Sequence, residues 1–193
     1  LSDRTFGSFS LREYEKLTQE DQQSLQKAFR AATTYAEDPE GWLVFMGGYG
    51  SGKTHLAASI GNYRKAMGEE PIFVVVPDLL DHLRAAFSPT SPTSYDRRFE
   101  EVRSASLLIL DDLGTQSATP WAREKLYQLL NFRYNAKLPT IITTAQRLDE
   151  IDPRIRSRML DKRLCTIYAI TAPAYLAGST PARRKTASRK SVG

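Results

Sequence analysis

Residues 47–54 read Gly47-Gly48-Tyr49-Gly50-Ser51-Gly52-Lys53-Thr54, a full match to the phosphate-binding pattern G-x-x-x-x-G-K-[ST]. Each residue type in it has a physical task. Glycines at 47, 48, 50 and 52 permit a tight loop whose N–H groups, those of Tyr49 and Ser51 included, turn inward to cradle phosphates. Lys53 can reach the β- and γ-phosphates as a mobile charge, and the Thr54 hydroxyl can hold Mg²⁺. The helix that starts here aims its positive end at the anion. At ordinary glycine usage the pattern arises by accident in roughly one chain in a hundred of this length. Its context reduces that further. Trp42-Leu43-Val44-Phe45-Met46 reads as a buried strand just upstream, and Leu56, Ile60, Tyr63 and Met67 recur at helical spacing downstream. Strand, glycine loop and helix in that order outweigh the competing reading, a Gly-rich hairpin turn.

The rest of the chain alternates in the same way. Residues 1–17 look irregular, with Phe6 and Phe9 as anchors. A helix begins near Thr18, where Thr18 and Asp21 resemble a capping box, and Leu25, Ala28, Phe29 and Ala32 mark its apolar face. Asp38-Pro39-Glu40-Gly41 ends it, and Gly68 caps the phosphate-loop helix. Ile72-Phe73-Val74-Val75-Val76 suits a buried parallel strand. Helices follow at 78–87 and 95–104, separated by the Ser/Pro/Thr loop 88–94. Leu107–Leu110 is a third strand, and a helix with Pro120 at its first turn runs to about Lys137. Pro139–Thr144 is a fourth strand, Pro153 opens a short Arg-rich helix, and Leu164–Ile170 is a fifth strand. Strands alternating with helices, without an internal repeat, predict an α/β fold. This is a P-loop NTPase sandwich, with helices on both faces of a five-stranded parallel sheet. Ligand then sits at the carboxyl ends of the strands.

The 193 residues suit one domain, and neither a membrane-spanning stretch nor a signal peptide is visible. The single cysteine, Cys165, cannot form an internal disulfide, which points to a reducing, cytoplasmic setting with no membrane partner. It reads as a small buried hydrophobe rather than a nucleophile. The net charge of +5 is concentrated at the end: beyond Leu176 come Arg183, Arg184, Lys185, Arg189 and Lys190 and no acid. The expectation is an ATPase domain over 1–175 and a basic, disordered tail over 176–193. The tail either touches nucleic acid phosphates or is simply solvated. The chain opens at Leu1 rather than Met, as a fragment or processed chain would.

The third strand ends in Asp111-Asp112-Leu113-Gly114. An acid directly after four apolar residues fits a carboxylate at a strand end, with Asp111 facing Mg²⁺ opposite Thr54 and Asp112 orienting or deprotonating the attacking water. A plain turn or helix cap is the alternative. The fourth strand ends in Thr143-Thr144-Ala145-Gln146, whose hydroxyls and amide can sense a γ-phosphate or merely close a strand. Arg154, Arg156 and Arg158 share about one helical turn and offer an arginine to a transferring phosphoryl group, often in a neighbouring subunit. A solvated basic face is the competing reading.

Gly47–Thr54 followed by His55-Leu56-Ala57, then Leu107-Leu108-Ile109-Leu110-Asp111-Asp112-Leu113-Gly114, Pro139–Thr144 and Arg154-Ile155-Arg156-Ser157-Arg158, resembles the AAA+ ATPases of the DnaC/DnaI helicase-loader and IstB transposition-helper group. The match runs from about Phe6 to Tyr168. The resemblance implies an ATP-hydrolysing protein acting on single-stranded DNA complexes, with a replicative helicase as client first and a transposase second. It also implies self-association into a ring or filament. Lys53, Thr54, Asp111 and Asp112 carry over as phosphate, Mg²⁺ and acidic-pair residues. The block from 47 to 55, His55 included, carries over as the nucleotide-binding segment. Arg158 carries over as an arginine finger acting in trans, and Arg154 as a second nucleotide-sensing arginine. The stretch between strands two and three resembles the initiator-type insertion, placing Tyr95, Arg97, Arg98 and Arg103 near DNA. Phe99 and Val102 packing the helix with solvated arginines is the plainer reading. Two features depart from the pattern. Ala145 stands where a sensor Asn is usual, which passes that role to Thr144 or Gln146. A full loader's N-terminal helicase-binding region and an initiator's C-terminal helix-turn-helix are not in this chain.

Two other classes remain in view: a small-molecule P-loop kinase with the 154–158 arginines as a lid, and a nucleotide-gated scaffold with little turnover. Asp112 in place of the commoner Glu, together with Ala145, keeps the second of these open. Turnover that rises with protein concentration separates the ATPase from both.

Overall fold

A computed structural model describes residues 1–86, 92–114 and 119–175, with the side chains of residues 86 and 92–96 outside that description. The expected loop at 88–94, the side chain of Tyr95 and the tail over 176–193 therefore fall wholly or partly outside the described residues. The elements run α1 (Gln19–Glu37), β1 (Trp42–Gly47), α2 (Lys53–Ala66), β2 (Ile72–Val75), α3 (Val76–Ala86), α4 (Pro92–Ser104), β3 (Leu108–Asp111), α5 (Pro120–Asn135), β4 (Thr140–Thr144), α6 (Pro153–Met159) and β5 (Cys165–Ile170). The five strands form one sheet in the order β2-β3-β4-β1-β5, and every neighbouring pair is parallel. This is the P-loop AAA+ sandwich expected.

The strand sequences explain the two layers. Successive side chains point to opposite faces. Val44, Leu108, Leu110 and Ile142 meet α3, α4, α5 and α6 on one face. Leu43, Phe45, Ile109 and Ile141 meet α1 and α2 on the other. All eight are at most 3% exposed, each worth roughly 1.5–3 kcal/mol of apolar burial. The helix ends follow their signals. Thr18 accepts the Asp21 N–H and Thr119 accepts the Ala122 N–H. Gly68 (φ 90°) closes α2, with its own N–H on the Lys65 carbonyl and that of Glu69 on Arg64, a Schellman arrangement.

Three details differ from expectation. Val76 opens α3 instead of ending β2, because Pro77 fits the first turn of a helix and cannot donate to a ladder. β2 is half-buried throughout, since it lies at the sheet edge. On α2, Leu56 and Ile60 are buried but Tyr63, and Met67 just past the helix end, are exposed.

Candidate nucleotide site

The topology brings the site together. β4 lies between β1 and β3, so the phosphate loop after β1, Asp111 at the end of β3 and the threonines ending β4 are neighbours. Gly52 caps α2 from the left-handed region at φ 103°, and a Cβ there would sit 2.9 Å from the Phe9 ring. Gly48 has open space around it and Tyr49 is exposed. Lys53 is only 7% exposed and donates from Nζ to the Gly48 carbonyl at 2.7 Å. Burial lowers its proton affinity, against the pull of Asp111 and Asp112. The Ser51 hydroxyl is buried inside the loop without a partner among the described residues. A buried orphan hydroxyl and a cationic Nζ beside an open glycine are what a phosphate would satisfy.

Asp111, 6% exposed, is the hub. It accepts from the Thr54 hydroxyl at 2.9 Å and from the Thr143 hydroxyl at 2.6 Å. Thr143 in turn accepts the Asp112 N–H at 2.9 Å. That bond helps hold Asp112 at φ 59°, a conformation that Asp tolerates better than most residues. Among the described residues no cluster of His, Cys, Asp or Glu could hold a metal by itself. One hydroxyl facing one carboxylate beside a phosphate cradle fits Mg²⁺, which keeps waters and takes phosphate oxygens rather than a protein cage.

Other expected site residues stand elsewhere. Thr144 is fully buried; its hydroxyl donates to the Leu113 carbonyl and accepts the Gln146 N–H. Two-residue alternation puts Thr143, not Thr144, on the face shared with Thr54 and Asp111. His55 turns away from the loop: its Nε2 lies 3.2 Å from Ser8 Oγ and 3.1 Å from the Thr5 carbonyl, with its ring edge-on to Phe9. One step along a helix rotates a side chain by about 100°, so His55 cannot share Thr54's face. It clamps the N-terminal segment instead. That segment walls an open cleft of about 510 Å³, contributing Arg4, Phe9 and Arg12 opposite Gly50–His55.

Arg154 and Arg158 are not at their own chain's phosphate loop. Arg154 pairs with Glu124 and Asp152. Arg158 donates to Asn131 Oδ1 and Tyr127 Oη on α5, and both guanidinium groups stack on Tyr127. On α4, Phe99 and Val102 are buried and Arg97 and Arg98 exposed. Arg103 turns inward, ion-paired with Glu100 and stacked 4.3 Å over Phe132. Sequence reasoning missed Thr143 as the Asp111 partner, although the register that sets Leu110 against Ile142 puts it level with Asp111. Arg4 and Arg12 carried no sequence signal.

A family model described as IstB-like ATP binding protein matches residues 3–167. The chain belongs to that family. This IstB-like chain is 30% identical over 141 residues to the replicative helicase loader DnaC of Buchnera aphidicola subsp. Schizaphis graminum, covering 72% of the chain and 55% of the relative. It is 32% identical over 140 residues to the insertion sequence IS232 putative ATP-binding protein of Bacillus thuringiensis subsp. berliner, covering 69% and 54%. A solved structure of the replication initiator DnaA bound to AMPPCP and single-stranded DNA superposes with a TM-score of 0.70 at 18% identity, covering 86% of this chain and 49% of that one. The IstB-like chain thus spans about half the length of the curated relatives it matches. No helix among the described residues is long and apolar enough to cross a membrane.

Proposed function

We propose that residues 1–175 are the ATP-hydrolysing AAA+ module of a cytoplasmic protein that acts on single-stranded DNA complexes, first as a replicative helicase loader in DNA replication. The observation that carries this reading is the convergence of Lys53, Thr54, Asp111 and Thr143 at the ends of β1, β4 and β3. Lys53 and the loop N–H groups bind the phosphates of ATP or ADP. Thr54 and Asp111, with Thr143 fixing the carboxylate, hold Mg²⁺, which supplies positive charge to the phosphate oxygens. Asp112 orients the attacking water from a backbone that Thr143 steadies.

Arg158, held against α5 of its own subunit, serves in this reading as an arginine finger for a neighbour's nucleotide in a ring or filament, with Arg154 a second nucleotide-sensing arginine. Exposed Arg97 and Arg98 on α4, and the basic 176–193 segment, offer phosphate contacts to the DNA strand. A helicase as client rests on likeness to the loader, and DNA on the neighbour solved with it. A transposition helper working with a transposase is the second reading, favoured by the family model and the insertion-sequence relative. The test is fluorescence anisotropy of a labelled oligo-dT strand with the protein in MgATP analogue or MgADP. The reading expects binding at least ten-fold tighter with the ATP analogue. Nucleotide-blind binding, or none, would refute a nucleotide-driven DNA module.

A further inference from the structure

The phosphate loop is gripped from outside by the end of the described chain. The Tyr175 N–H donates to the Gly50 carbonyl at 2.8 Å. A Cβ on Gly50, at φ 71°, would lie 3.0 Å from Ala174 Cβ, so the two backbones are in direct contact. Arg12 holds this segment in place. It is 8% exposed, its Nη1 donates to the Pro173 carbonyl at 2.5 Å, and Glu15 binds the other side of the guanidinium at 2.8 and 2.6 Å. Arg12 itself stands at φ 58°, a strained conformation for a long side chain that needs support from such contacts.

The peptide geometry gives this contact a consequence. Across a trans peptide the C=O and the following N–H point in opposite directions. A Gly50 carbonyl drawn outward by Tyr175 therefore aims the Ser51 N–H at the loop interior. There that N–H has only a long 3.4 Å contact to the Gly48 carbonyl, which a phosphate oxygen readily replaces.

We propose that residues 173–175 form a backbone cap on the phosphate loop, with Arg12 as the positioning residue that holds it, and that this cap pre-orients the Ser51 N–H for phosphate. The proposal rests on the nucleotide-binding reading above. Fixing the loop before binding lowers the ordering cost at binding.

The experiment separates the N–H from the side chain that carries it. Tyr175→Pro removes the donor together with the ring, whereas Tyr175→Ala keeps the donor and loses the half-exposed ring with its 5.8 Å stacking contact to Arg12. Affinity for a fluorescent ADP analogue with Mg²⁺ is titrated in the full chain, and the unliganded melting temperature is followed in parallel. Tyr175→Pro is expected to bind about five-fold more weakly, the size of one hydrogen bond, with the unliganded melting temperature lowered by no more than about 2–4 °C and Tyr175→Ala within two-fold of wild type in affinity. Arg12→Ala should weaken binding similarly, and the double variant Arg12→Ala with Tyr175→Pro no further, because the two act as one unit. Additive losses would mean that Arg12 contacts the nucleotide directly and would overturn its positioning role. Wild-type affinity in both Tyr175→Pro and Arg12→Ala, or an equal loss in Tyr175→Ala, would overturn the cap. A wild-type chain that fails to bind the analogue would sink the nucleotide reading itself.

Discussion

Thr143→Val separates the metal-side network from ordinary packing. Valine keeps the shape and removes the hydroxyl. That hydroxyl donates to Asp111 at 2.6 Å and accepts the Asp112 N–H at 2.9 Å, in a residue only 1% exposed. A bond to a charged partner is worth about 1.5–3 kcal/mol and a neutral one about 1 kcal/mol. The N–H left behind is poorly reached by water. A total near 3 kcal/mol follows, and at about 2–4 °C per kcal/mol for a domain of this size the melting temperature drops by about 6–12 °C. The functional loss is specific. Without the Thr143 donor the Asp111 carboxylate is no longer held in one rotamer, so the gain in ADP affinity on adding Mg²⁺ shrinks several-fold. Thermal unfolding and ADP titration with and without Mg²⁺ read both effects. Thr144→Val is the control: its bonds to Leu113 and Gln146 give it a stability cost, but the Mg²⁺ dependence should persist. A Thr143→Val protein melting within 2 °C of wild type, or equal loss of Mg²⁺ dependence in both variants, would refute the assignment of roles.

Gly52→Ala should lower nucleotide affinity at least ten-fold by calorimetric titration. The site demands φ 103° and would push a methyl to 2.9 Å from Phe9, with about 1–2 kcal/mol of left-handed strain in addition. Arg133→Met should cost more than about 3 kcal/mol in urea unfolding. The fully buried guanidinium serves Thr140 and the carbonyls of Arg103, Ala105 and Pro139, which methionine leaves unserved. Burial pushes the Cys165 thiol up to about 12, so a disulfide reagent at pH 8 should label it only as fast as the protein opens. The folded state binds that proton more tightly than the unfolded state. Stability is therefore lost as pH rises from about 9 toward 12, and Cys165→Ala should remove that component; labelling as fast as a free thiol would contradict the burial.

The sheet was legible because buried parallel strands read as short β-branched runs and the phosphate loop anchors their order. Residue placement was legible only where backbone pattern dictates it. Lys53, Thr54 and Asp111 lie on a loop and a strand end of known geometry, and Thr54 meets Asp111 as expected. The strand-end run Thr143-Thr144 does not say which face each hydroxyl occupies; register does, and it sets Thr143 beside Asp111. His55 lies inside the motif, but helix rotation carries it to the N-terminal segment. Arg12 and Arg133 look like ordinary surface cations in sequence. Their burial arises from tertiary contacts with Pro173 and with the α4–β3 connection, far away in the chain. Val76 shows the same limit for boundaries: a β-branched run continues, but Pro77 converts it to a helix start.

The central claim is that this chain hydrolyses ATP at a site completed by a neighbour. ATP turnover per subunit, measured against protein concentration with and without single-stranded DNA, tests it for wild type and Arg158→Ala. The account predicts specific activity that climbs with concentration and with DNA, and a loss of at least a hundred-fold in Arg158→Ala with ADP affinity retained. Turnover per subunit that is flat with concentration, or unchanged in Arg158→Ala, would contradict it.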